Sequence, residues 1–197
     1  MHTTTFFQRL MRGLSPSPVL AGLTVWLVLV FVGCGPRPSQ ESMDELALYT
    51  TREVVDTATA SLTLVPSVEQ MLEVPSSLTL EEKIGLLLDS LSVNHFGGLK
   101  LEVLSLEKTP EGETLLRVNL AESPDFVFPD SLGQYHSWYE YFQGSMGGQH
   151  TSIVLEETVL QREYPGDWVD RVEFYYRGEP MGTWDHAFLQ GEIRRRP

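Results

Sequence analysis

Residues 79–91 read TLEEKIGLLLDSL. Thr79 is a helix-capping residue and Glu82 follows three positions later, the pattern of a reciprocal capping box. Leu80, Ile84, Leu87, Leu88 and Leu91 then recur at helical spacing on one face. A helix with one apolar stripe needs a surface to lie on, and the flanking sequence supplies strands. Upstream, ELALYTT (Glu45–Thr51), SLTLVP (Ser61–Pro66) and MLEVP (ending at Pro75) read as three short β segments. Downstream, LKLEVLSLE (Leu99–Glu107) alternates with a phase change at Val103-Leu104, the mark of a bulge. The turn KTPEGE then leads into a returning strand, TLLRVNLAE, so 99–121 is expected to be a hairpin.

A loop carrying Pro124, Pro129 and Gly133 follows. A second helix is expected over Gln149–Arg162, its apolar face formed by Ser152, Ile153, Leu155, Val159 and Leu160 and its end set by Pro165-Gly166. VDRVEFYYRGEP closes the pattern as a strand running into a turn at Gly178. The expected fold is α+β: a single domain with a small mixed or antiparallel sheet and two packed helices.

Composition narrows the function. The 197 residues carry a formal charge of −13, from 27 acidic against 14 basic side chains. Nucleic-acid binding selects for basic patches, so nucleic acid is excluded as a partner. Adsorption to anionic lipid headgroups is disfavoured for the same reason. One cysteine rules out internal disulfides and cysteine-cluster zinc sites.

That cysteine, Cys34, sits where an apolar run stops. Arg9 and Arg12 precede VLAGLTVWLVLVFV (Val19–Val32), which is short of the roughly 20 apolar residues a spanning helix needs. A basic start, a short apolar core and a small residue at the end describe an export signal. Phe31-Val32-Gly33-Cys34 resembles a bacterial lipobox, with Phe31 where leucine is usual. The resemblance implies a signal peptide at 1–33, lipid on the Cys34 thiol and an extracytoplasmic, membrane-anchored protein. More than one acyl chain is needed for stable anchoring, since each buried CH₂ contributes only about 0.8 kcal/mol. Loss of 1–33 removes two arginines and no acid, which takes the charge from −13 to −15. Residues 34–44 read as a tether, 45–186 as the domain and 187–197 as a tail.

The C-terminal third, Gly144 to Pro180, resembles the second half of the GerMN domain. The matching residues are Gly144-Ser145, Thr158-Val159-Leu160, Pro165-Gly166, the strand Val169-Asp170-Arg171-Val172-Glu173-Phe174, and Gly178. LALYTT, LTLEEKIGLLLDSL and TPEGETLLRVNLAE are similar to that family's opening strand, first helix and central hairpin. The likeness covers 45 to about 184. It departs at an extra Asp167-Trp168, in the aromatic segment Phe126–Phe142, and in having one copy of the domain. The resemblance implies a non-enzymatic module of the bacterial cell envelope, of the sporulation and germination type, that binds a protein partner or assembles with itself. It implies no catalytic residue and no cofactor.

The residues themselves offer one lead. QYHSWYEYFQ (Gln134–Gln143) gathers Tyr135, Trp138, Tyr139, Tyr141 and Phe142. Aromatic faces can stack on sugar rings or serve a protein interface, so peptidoglycan or another glycan is the alternative partner. The plain alternative is an aromatic flap buried on the sheet. His95, His136, His150 and His186 lack metal-ligand spacing, and Asp125 and Asp130 lack that of a calcium loop. Ser145 in QGSMGG has Gln143 where a nucleophile elbow needs glycine, so a helix-start turn capped by Ser145 or Thr151 is the simpler expectation. An uncharacterised hydrolase is the weakest reading. Arg194–Arg196 read as a disordered basic end.

Overall fold

The computed structural model describes residues 41–58 and 60–196. The expected export signal, Cys34 and most of the expected tether lie outside the described residues. Residues from Gln40 onward form one compact unit, a mixed α+β domain with two sheets rather than one. Among the described residues no helix is long and apolar enough to cross a membrane.

The chain begins with a long antiparallel ribbon, β1 (Met43–Asp56) against β2 (Ser61–Pro75). Two of the expected short segments, SLTLVP and MLEVP, are therefore one strand, with Pro66 inside it opposite Thr51. A strand proline is tolerated at a sheet edge, and among the described residues β2 is bonded to β1 alone. The pairing slips at Leu48/Tyr49, where Glu69 is the extra residue. Leu46 to Tyr49 are buried consecutively, whereas Val55 and Leu62 near the ribbon tip are exposed.

Helix α1 (Leu80–His95) has the expected capping box. Thr79 Oγ1 accepts from Glu82 N–H at 3.3 Å and the Glu82 carboxylate accepts from Thr79 N–H at 2.8 Å. Ile84, Leu87, Leu88 and Leu91 are buried. The predicted hairpin follows as β3 (Lys100–Lys108) and β4 (Thr114–Ala121), with its register shift between Val103 and Ser105. β4 is parallel to β5 (Arg171–Tyr176), and a parallel pair needs a crossover connection. That crossover contains a single turn, α2 (Trp138–Tyr141), and the second long helix, α3 (Ser145–Leu160). Arg177 and Gly178, both at positive φ, turn the chain into β6 (Glu179–Pro180), as a two-residue hairpin loop requires. β7 (Glu192–Arg194) pairs with the other end of β5.

Three expectations need correcting. Helix α3 starts at Ser145, not Gln149, and its N-cap is Gly144 at φ 74°, with no side-chain cap. Ser145 and Thr151 therefore do not cap it; the Thr151 hydroxyl donates instead to the Tyr141 carbonyl at 2.8 Å. Glycines at 147 and 148 weaken the helical signal, but Gly148 is where the backbone of His186 presses against the helix. The helix also ends before the Pro165-Gly166 stop, because Gln161 adopts a left-handed conformation.

The boundaries move as well. Met43 and Asp44 belong to β1 rather than to a tether, and Asp44 accepts hydrogen bonds from Lys83 Nζ (2.7 Å), Ser76 Oγ (2.7 Å) and Tyr164 OH (2.8 Å). At the other end, 187–197 is not a tail. Ala187 and Leu189 are in the core, and the buried Arg195 guanidinium donates to the Gln161 carbonyl at 2.9 Å and to that of Tyr164. Arg194 bonds Glu113 at 3.0 Å.

One core joins both sheets and both long helices. It includes Leu46, Leu48 and Val74 of the ribbon, the α1 stripe, Leu116, Val118 and Leu120 of β4, and Val154, Leu155, Val159 and Leu160 of α3. Helix α3 lies against the outer edge of β1. Thr158 Oγ1 accepts from Tyr49 N–H at 3.0 Å, so a helix side chain stands in for a neighbouring strand.

Candidate functional site

The aromatic stretch divides into two populations. Trp138 is 0% and Phe142 1% exposed. Trp138 packs 4.7 Å from Phe96 and donates Nε1–H to the Lys100 carbonyl at 3.2 Å. Phe142 packs 4.7 Å from Trp184 and 5.4 Å from Tyr176. Neither ring has a face for a ligand; for these two the buried flap is correct. Tyr139 is half-buried between Phe128 and Trp184. Tyr141 is also half-buried, its ring 5.1 Å from Phe96 and 6.0 Å from Trp138. Burial holds its phenol above the usual range.

Tyr135 differs from the other four. It is 50% exposed, sits at φ 56°, and leans on Tyr141 with ring centroids 5.0 Å apart. A bulky residue in the left-handed region is strained and needs an external cause. The cause is Glu140. This carboxylate is buried and accepts from the backbone N–H groups of Gly133 (3.1 Å), Gln134 (3.0 Å) and His136 (2.9 Å). Burial alone would raise its pKa, but the ring of backbone donors outweighs it and holds the carboxyl below its ordinary value. The loop is thus wrapped round a fixed anion, and Tyr135 is carried at its crest.

Tyr135 stands at the mouth of a cleft of about 470 Å³ between the ribbon and the first turns of α3. Tyr141, Leu64 and Met146 give it apolar walls, while Thr51, Glu53 and His150 supply polar groups. Glu53 and Leu64 are cross-strand partners, so the ribbon presents them side by side. His150 Nδ1 is 2.7 Å from Thr51 Oγ1. Burial, with the charge of His95 nearby, keeps His150 below the usual imidazole range. Glu53 has no ion-pair or hydrogen-bond partner among the described residues. Sequence reasoning missed Thr51, Glu53 and Leu64 and weighed His150 only as a metal ligand; the four come together only through the ribbon and α3.

A second groove, of about 480 Å³, runs beside the C-terminal end of α3. Ala47, Val68 and Met71 form its floor, and Glu45, Glu73 and Glu163 its rim. Glu45 and Glu73 are cross-strand partners, a like-charge pair that costs stability.

Other candidates dissolve. Ser145 is exposed on the first turn of α3, and no base is bonded to it among the described residues. His95 Nε2 lies 3.2 Å from Glu69 Oε2, and His136 is exposed. Among the described residues no group of three His, Cys, Asp or Glu side chains could hold a metal ion. No protein-family model matches the chain, and comparison with curated proteins and with solved structures returns no match.

Proposed function

We propose that the chain is a lipid-anchored envelope protein, acylated at Cys34, whose extracytoplasmic domain is a non-enzymatic docking module of GerMN type. One observation carries the docking: β2 runs for 15 residues and, among the described residues, is bonded to a strand on one side only. An open edge is a template on which another chain can extend the sheet. Val68 and Met71 beside that edge are exposed apolar residues, and the acidic rim of Glu45, Glu73 and Glu163 favours a partner with basic residues flanking an apolar strand. A second copy of this chain brings the same acidic rim, so a different envelope protein is the better occupant.

Photo-crosslinking from Met71 in living cells tests the reading. The expected product is a discrete adduct, lost both on Cys34→Ala and on Gln70→Pro. An adduct of twice the chain mass assigns the edge to self-assembly instead, and no adduct removes docking at β2.

A further inference from the structure

We propose that the cleft between Tyr135 and Glu53 binds an uncharged sugar ring, stacked on the open face of Tyr135 with its hydroxyls held by Glu53. This goes beyond the docking role and does not depend on it, since the β2 edge and the cleft are different surfaces.

The first support is the conformation of Tyr135. A tyrosine that only filled the core would be buried in a relaxed backbone; this one is half-exposed and left-handed. Four consecutive residues, Gly133 to His136, are shaped by one buried carboxylate that the fold spends three backbone hydrogen bonds to hold. Strain imposed by a dedicated buried group, with an exposed aromatic as its outcome, marks a residue positioned for contact.

The shape of the aromatic pair selects the ligand. An aromatic cage for a cation needs two or more open faces around one point. Here Tyr141 is covered by Phe96 at 5.1 Å and by Tyr135 itself at 5.0 Å. Of the two rings Tyr135 alone is exposed among the described residues, which makes a one-sided platform suited to a flat amphipathic ring. Carboxylates are acceptor-only and bind hydroxyl donors well, and Glu53 has no competing partner among the described residues. The apolar walls of Leu64 and Met146 match the C–H face of a pyranose, and Thr51 and His150 add donors and acceptors. The volume falls within the range of small-ligand sites. An anionic sugar is disfavoured by Glu53 and by the overall charge of −13.

The test is calorimetric titration of the full chain, held in a sugar-free zwitterionic detergent, with chitotetraose and with maltotetraose. Saturable binding of either is expected. Tyr135→Phe keeps the ring and should change affinity by no more than about threefold, whereas Tyr135→Asn should weaken it at least about tenfold. Asparagine tolerates the left-handed backbone, so the loop keeps its shape. Tyr135→Gly gives the same loss by a second route, and an unchanged thermal midpoint shows that each variant is folded. Glu53→Gln, at an exposed position, should weaken binding about fivefold. The proposal is overturned by no saturable binding of either oligosaccharide, or by binding that Tyr135→Asn leaves intact. It is equally overturned by tetramethylammonium binding in their place with loss on Glu53→Gln, which would make the cleft a cation site.

Discussion

The side chain of Gln161 bonds Ala47 as a neighbouring strand would. Its carbonyl accepts from Ala47 N–H at 2.8 Å and its amide donates to the Ala47 carbonyl at 2.6 Å. Both residues are buried, Gln161 at 1% exposure, so neither backbone group of Ala47 has water as a substitute. The contact ties the end of α3 to the ribbon 114 residues earlier in the chain.

Gln161→Ala should therefore destabilise the domain by about 2–4 kcal/mol, because it orphans a donor and an acceptor together. Gln161→Gly loses the same bonds but suits the left-handed φ of 46°, and should recover about 1 kcal/mol of that loss. Urea denaturation of the two variants checks the order. An alanine variant equal to or better than the glycine variant would mean that the backbone strain is absent.

Acid should loosen the Tyr135 loop. The folded-state pKa of Glu140 lies below its ordinary value of 4.5. Its contribution is then fully present above pH 4.5 and is lost as the pH falls through the folded value. Glu140→Gln should cost about 2–3 kcal/mol at pH 7, with the acid limb of the stability curve flattened. Asp44, held down to about 2 by Lys83, Ser76 and Tyr164, acts with the same sign between 3.8 and about 2. Denaturant midpoints of the parent chain and of Glu140→Gln at pH 7, 4 and 3 isolate the part that belongs to Glu140.

Two helical glycines should respond oppositely to alanine. A Cβ at Gly148 would lie 2.6 Å from the His186 carbonyl oxygen, and backbone cannot move aside cheaply. Gly148→Ala should cost about 1–3 kcal/mol. Gly85 in α1 has nothing within 4 Å of its would-be Cβ, so Gly85→Ala should stabilise by about 0.5–1 kcal/mol. Thermal midpoints moving in opposite directions would bear this out; a neutral Gly148→Ala would mean that the 186 region yields.

The C-terminal residues should matter to the fold. Deleting 192–197 removes β7 and the Arg195 guanidinium that serves the Gln161 and Tyr164 carbonyls. The truncated chain should unfold at a markedly lower urea concentration. Arg195→Lys, which keeps the charge but not the planar fork, should show part of the loss. Full stability after truncation would make β7 ornamental.

The elements legible in the sequence are those whose signals are local. Thr79 and Glu82 fix the start of α1, and the phase change at Val103-Leu104 marks a real bulge. What was not legible depends on partners distant in the chain. Pro66 stops a strand by local rules, yet it sits within β2 because that strand is paired on one side only among the described residues. Arg194–Arg196 look like a loose basic end until Gln161 and Glu113 are brought beside them. The aromatic segment gives its composition but not its division: Trp138 and Tyr135 are equally aromatic, and only the carboxylate of Glu140 turns one outward. Glu53 and His150 carry no local mark at all.

Strand β1 borders both clefts. Ala47 and Tyr49 line the groove at the C-terminal end of α3, and Thr51 and Glu53 line the cleft at its N-terminal end. A ligand that bridged Tyr135 and Glu53 would tie β1 beyond Thr51 to the α3 side of the domain, and would do so next to the strand on which the proposed partner docks. Coupling between the two proposed events would be reciprocal, each changing the affinity of the other by the same factor. Slower amide exchange at residues 54–58 and 60–65 on addition of sugar alone would be the signature of that coupling.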